Sequence, residues 1–236
     1  MNIIYKTTFL FLTLACLSAN HAEELFTVDR NYTHYTVEDG LPENSVRCLE
    51  EDSYGVVWIC TGSGLTRFDG YQFEVIVDDI YGNTIRNNII RDIYIENLKV
   101  YFGTEDGLYV LNQSNGQISV ISEGADLGFI YTIKSFNQKI YVSTRNGLFE
   151  LKEDNTAQAI LTSRKVRNFI FLDNKLITSE TGSGLIEYTL NDDGYLQNRL
   201  FEEKSPVVDI SVVNEKLMIS THGNGVFILN MDLSIY

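Results

Sequence analysis

The sequence predicts an all-β chain assembled from about five copies of a four-stranded antiparallel unit. A short motif carries this expectation: a Thr, then Gly-Leu or Gly-Val beginning three or four residues on. It returns at Thr61, Thr104, Thr144, Thr181 and Thr221, and its glycines Gly64, Gly107, Gly147, Gly184 and Gly225 stand 43, 40, 37 and 41 residues apart. That period is the length of a propeller blade. Alternating apolar stretches fill the intervals, and no 11-residue window of the mature chain shows a convincing helical apolar period. The expected fold is therefore a β-propeller of four-stranded antiparallel blades, about five present and the ring incomplete.

The elements follow in order. Residues 1–22 read as an export signal, with Lys6 closing a short charged region, an apolar Thr7–Leu17 segment, and small residues before a cleavage point after Ala22. Lipid attachment at Cys16 is the lesser alternative. Residues 23–236 form the propeller segment, opened by an outer closing strand at 31–38. The blades are expected at about 41–80, 85–122, 127–161, 164–201 and 204–236. In each, an alternating apolar stretch comes first: "NSVRCLEED", "NIIRDIYIE", "IYTIKSF", "VRNFIFL" and "VVDISVV". A polar turn follows at Ser53–Gly55, Asn97–Lys99, Asn137–Lys139, Asp173–Lys175 and Asn214–Lys216, and then a second strand halts at the Thr-Gly motif. Such abrupt reversals use Gly for its access to positive φ. The last two of these loops are one residue longer than the others.

Composition narrows the function classes. The chain has 236 residues, 44% hydrophobic and 12% aromatic, with only two prolines, which is ample material for a core. A net charge of −14 disfavours nucleic acid and anionic lipid as partners. The "GSG" at Gly62–Gly64 precedes a strand-length segment and opens no helix, so it is turn chemistry and no phosphate cradle. After the signal only His34 and His222 remain as imidazoles, on unrelated segments, and no nucleophile and base assemble. Glu50-Glu51 and Asp78-Asp79 are adjacent in sequence and so point to opposite strand faces. Asn191–Gly194, "NDDG", lacks the distal Glu of a calcium loop and reads as a hairpin turn. No catalytic residue, cofactor or metal is expected.

The first unit resembles a known family. Gly40-Leu41-Pro42, Asn44, Val46, Asp52, Gly55, Trp58-Ile59, Thr61, Gly64-Leu65, Arg67-Phe68 and Asp69-Gly70 are similar to the two-component regulator propeller repeat, found in periplasmic sensor regions of bacterial membrane receptors. Later units match more loosely, and Cys60 stands where the family commonly has Gly. The resemblance implies a non-enzymatic, periplasmic ligand-sensing segment whose intact receptor carries more blades, a β-sandwich, a membrane helix and a cytoplasmic output module. This chain then reads as an N-terminal fragment, with further blades as partners and the membrane reached only through downstream segments. A small molecule or glycan is the implied cue. The rival readings are a polysaccharide-cleaving propeller enzyme and a protein-interaction scaffold.

Candidate ligand residues come from topology. Asn44, Asn88, Arg145, His222 and Asn224 lie in loops expected to converge on one face, with His222 and Asn224 in the widest loop. Cys48 and Cys60 fall opposite each other when Ser53–Gly55 is the turn. Two buried thiols are the expectation, because directly opposed strand positions strain a bridge, and a disulfide is the alternative. The uncovered faces of an open arc are expected around Val46 and Ile219.

Overall fold

The computed structural model describes residues 32–78, 81–82, 85–121, 126–172, 175–191, 194–201 and 205–230. The expected export signal, and the stretch 231–236 expected to carry the last outer strand, lie outside them. Residues 32–34 fall in a separate N-terminal unit from the body that begins at Tyr35, and they carry no regular secondary structure.

The body is a series of antiparallel sheets, each with its strands in sequence order. Blade 1 holds β1 (Val46–Glu51), β2 (Val57–Thr61), β3 (Gly64–Phe68) and β4 (Phe73–Ile76). Blade 2 holds β5 (Ile90–Glu96), β6 (Lys99–Thr104), β7 (Leu108–Asn112) and β8 (Gln117–Ile121). Blade 3 is β9 (Ile130–Phe136), β10 (Lys139–Thr144), β11 (Gly147–Leu151) and β12 (Ala157–Thr162). Blade 4 is β13 (Val166–Leu172), β14 (Lys175–Glu180), β15 (Gly184–Asn191) and β16 (Gly194–Phe201). Blade 5 shows β17 (Val207–Val213), β18 (Lys216–Thr221) and β19 (Val226–Asn230). No α-helix occurs among the described residues, and the fold is an all-β propeller arc.

Local chemistry explains the turns. Between first and second strands, Asn97-Leu98, Asn137-Gln138 and Asn214-Glu215 all take positive φ near 50–60°, the two-residue hairpin geometry that matches strand twist. At the arrested second strand a Thr hydroxyl closes the reversal. Thr61 Oγ1 donates to Gly64 O at 2.9 Å and accepts from Ser63 N at 3.0 Å. Thr104 repeats this with Gly107 and Asp106, and Thr221 with Gly225 and Asn224. In blade 4 the residue paired at that register is Glu180, one position ahead of the Thr181 that the motif aligns, because its turn is longer. Glu180 is buried and accepts from Arg164, Thr178 and Tyr188 instead.

Blades pack face to face through shared apolar clusters. Trp58, Cys60 and Leu65 of blade 1 meet Ile90, Ile93 and Phe102 of blade 2. Tyr101, Leu108 and Val110 then meet Ile133, Val142 and Phe149. Two further clusters join blade 3 to 4 and blade 4 to 5. Close approach needs a small residue near the end of each second strand. Cys60, Gly103, Ser143, Ser179 and Ser220 share one register position, and a Cβ on Gly103 would meet Ile130 Cγ2 of the next blade at 2.3 Å.

Two expectations change here. The outer strand foreseen at 31–38 is, over its described part, unpaired chain ending in a 3-10 turn, Val37–Asp39. Thr36 and Asp39 cap it reciprocally and Gly40 closes it at φ 111°, so local hydrogen bonds outcompete strand pairing. The uncovered side of the last blade is also different. Ile219 is fully buried against blade 4, whereas Val226 is 58% and Ile228 42% exposed. At the other end Val46 is 43% and Leu49 61% exposed, as expected for an uncovered face around Val46. No closed ring is found among the described strands: apolar clusters join each blade to the next, and none joins the last blade to the first.

Candidate functional site

In each inner strand one residue drops out of the ladder. The register of the first strand against the second shifts between Val46 and Cys48, Ile90 and Asp92, Ile130 and Thr132, Val166 and Asn168, and Val207 and Asp209. A bulge of this kind re-aims the extra side chain. The five bulged residues, Arg47, Arg91, Tyr131, Arg167 and Val208, together line one cavity of about 230 Å³ on the inner side of the arc. The neighbouring positions fix the bulge. Ile90, Ile130, Val166 and Val207 are buried before it, and the residue after it links blades. Asp92 Oδ2 accepts from Thr132 Oγ1 and Ile133 N, both at 2.7 Å. Asn168 Oδ1 accepts from Lys134 Nζ at 2.6 Å, and its amide donates to Asp209 Oδ1. In blade 1 the corresponding residue is Cys48.

Aromatic rings hold the guanidinium groups. Arg91 lies 4.5 Å and Arg145 4.9 Å from the Phe129 ring centre, and Arg167 lies 5.5 Å from that of Tyr131. Glu105 sits 3.6 Å from Arg91. Burial and the flanking positive charge of Arg47 pull Arg91 below its ordinary pKa, Glu105 opposing and Arg167 adding a little. Burial raises the Asp92 carboxyl, partly offset by its hydrogen bonds, and burial lowers Lys134.

The residues expected to bind ligand occupy one end of the blades. Asn44 and Asn88 precede the inner strands of blades 1 and 2, Arg145 sits in the β10–β11 turn, and His222 and Asn224 sit in the β18–β19 turn. That turn end abuts the start of the inner strand, since Arg145 N donates to Phe129 O and His222 N to Pro206 O. Asn44 Oδ1 caps Val37 N at 2.9 Å, which is a structural duty. Asn88 and His222 are exposed. Arg145 approaches the axial cavity through Phe129, and it also borders a larger groove with Asp126, Asn146 and Lys165. The axial residues escaped motif reading because the bulge is invisible in sequence, although the column Arg, Arg, Tyr, Arg, Val after a β-branched aliphatic residue was there to be aligned. Cys48 and Cys60 are paired at the expected register and joined by a disulfide, which replaces the expectation of two thiols. Their Cα atoms lie 5.0 Å apart, within bridging range.

Residues 40–63 match the family model described as "Two component regulator propeller". The first half of blade 1 carries this repeat. Within that repeat, Asp52 accepts from Tyr54 N at 2.9 Å, Val56 N at 3.1 Å and Trp58 Nε1 at 3.0 Å, so the motif's Asp, Gly and Trp build one turn. The chain is similar in fold to the extracellular domain of BT3049 from B. thetaiotaomicron, described as a hybrid two component system. The match has 20% identity and a TM-score of 0.63, over 86% of this chain and 36% of that one. The extracellular domain of BT4673 from the same organism, described as a one component system, matches at 18% identity and TM-score 0.54, over 78% and 32%. PorZ, a surface component of the type-IX secretion system of Porphyromonas gingivalis, matches at 15% and 0.61, over 81% and 27%. The chain thus spans about a third of the length of these structures. No curated protein sequence matches the chain.

Proposed function

We propose that this chain is an exported, non-enzymatic sensor segment of a two-component-type receptor, which binds an extracellular cue on the inner side of its propeller arc and passes the binding energy to neighbouring blades. One observation carries the reading: five successive inner strands bulge at the same position and present those residues to a single cavity. A repeat that spends a ladder hydrogen bond in every blade to line one cavity is built for recognition. The lining supplies guanidinium, phenol and alkyl groups and no carboxylate pair, which favours binding over bond cleavage. In blades 2 and 4 the residue after the bulge reaches the next blade, Asp92 to Thr132 and Ile133 and Asn168 to Asp209, so occupancy of the cavity bears directly on inter-blade packing.

Thermal-shift screening of the full chain against a panel of glycans and small metabolites tests the proposal. A binder that raises Tm in wild type and loses its effect in Arg91→Ala, with Arg145→Ala intermediate and His222→Ala unchanged, is the expected result. A binder whose effect survives Arg91→Ala but is lost in His222→Ala would move the site away from the axis and refute this placement.

A further inference from the structure

Three of the five inward-facing positions are arginine, on a chain whose net charge is −14. Concentrating like charges around one small cavity costs Coulomb energy that a surface distribution avoids. Among the described residues the cavity's arginines have one ion-pair partner, Glu105 at 3.6 Å from Arg91. Glu43 is the other nearby acid. Its Oε2 is buried beside Gly62 near Arg47 and has no hydrogen-bond partner among the described residues. Three guanidinium groups therefore face two carboxylates, one held at a distance and one not engaged. Phe129 and Tyr131 stack against Arg91 and Arg167, which limits the rotamers these side chains must lose on binding.

We propose that the axial cavity is an oxyanion site, in which Arg47, Arg91 and Arg167 donate to a sulfate or carboxylate group and Tyr131 lines the wall. This rests on the reading that the inner side of the arc binds the cue, and it names the chemistry of that cue. Guanidinium forks match the oxygen spacing of both groups, which is why the shared chemistry is specified. A cavity of about 230 Å³ admits the charged group with a short body attached, and a long chain would have to leave along the axis.

The test uses the full chain with sodium sulfate and sodium citrate as probes and sodium chloride at equal ionic strength as reference, read by thermal shift and calorimetric titration. Either oxyanion is expected to raise Tm above the chloride reference. Arg91→Gln or Arg167→Gln should weaken binding about tenfold to a hundredfold, the effect of losing one charge-assisted contact. Arg67→Gln, on the outer part of blade 1 where Arg67 pairs with Glu74, should leave binding unchanged. Should an arginine variant fold poorly, Val208→Asp serves instead. Val208 is 44% exposed, so the change is tolerable, and the new carboxylate occupies the site and should abolish sulfate and citrate binding. Sulfate preferred over citrate points to a sulfated cue, and citrate preferred over sulfate to a carboxylated one. Neither oxyanion exceeding chloride, or equal weakening by Arg67→Gln, overturns the assignment. A neutral glycan that binds wild type and Val208→Asp alike would refute the oxyanion chemistry while leaving the sensing role standing.

Discussion

Asp52→Asn should cost blade 1 more than its conservative appearance suggests. Asp52 is 7% exposed and uses both oxygens: Oδ1 takes the two turn amides of Tyr54 and Val56, and Oδ2 takes the indole of Trp58. An amide has one accepting oxygen. Turned toward the backbone it sets its NH₂ against the indole N–H, and turned toward the indole it abandons the turn. The loss is one buried charge-assisted bond plus an orphaned donor, about 2 kcal/mol for Asn and about 3 kcal/mol for Ala. For a body of this size each kcal/mol lowers Tm by about 2–4 °C, so Asn should lower it by about 4–8 °C. Trp58 is the sole tryptophan, and its fluorescence should shift in Asp52→Asn before global unfolding. Urea melts by circular dichroism of wild type, Asp52→Asn, Trp58→Phe and the double variant complete the cycle, with a coupling of about 1 kcal/mol or more expected. Burial opposes ionisation of Asp52 but the Trp58, Tyr54 and Val56 hydrogen bonds outweigh it and depress the carboxyl. Its contribution is therefore present above the ordinary carboxylate value and lost as pH falls through the lower folded one. Asp52→Asn melting within 0.5 kcal/mol of wild type at pH 7, with no coupling to Trp58, would refute this account.

Asp92 should behave in the opposite way. Burial raises its carboxyl, so its contribution is largest in acid and declines as pH rises through the folded value; Asp92→Asn should cost less than about 1 kcal/mol at pH 7 and flatten the fall of urea midpoints above the ordinary carboxylate value. The Cys48–Cys60 bridge closes a loop of sequence separation 12, for which chain entropy gives about 3 kcal/mol. Cys48→Ser/Cys60→Ser should unfold at correspondingly lower urea, and thiol counting of denatured, unreduced protein produced in an oxidising compartment should find neither cysteine free; two reactive thiols would contradict the bridge. Finally, the chain alone should self-associate through its end blades. Leu49 is 61% exposed where its register equivalents Ile93, Ile133, Phe169 and Ile210 are at most 6%, and Val226 is 58% exposed where Leu65, Leu108, Leu148 and Leu185 are at 0%. Leu49→Lys with Ile228→Lys should shift sedimentation toward monomer without altering the β spectrum, and a monomeric wild type would mean these faces are tolerated in water.

The repeat was legible because blades are local objects. Each hairpin is written within a few dozen residues, in the Asn turns at 97, 137 and 214, the Thr hydroxyls at 61, 104 and 221, and the alternation between them. The Cys48–Cys60 register followed from the same local arithmetic. Which face of each sheet is covered, and what meets at the axis, depends on neighbours one blade away. Ile219 and Ile228 look alike in the sequence, yet one packs on blade 4 and the other faces outward. Residues 31–38 alternate as a strand would, but Thr36, Asp39 and Gly40 satisfy their own backbone and cap a turn. A bulge leaves no mark in composition or period, so Arg47, Arg91, Tyr131, Arg167 and Val208 read as ordinary strand residues until the sheets are assembled. Strand, turn and repeat were thus determined by the sequence through hydrogen bonds of short range. The axial cavity was decided only by tertiary structure, because it exists where five inner strands, separated by whole blades of chain, aim one residue each at the same space.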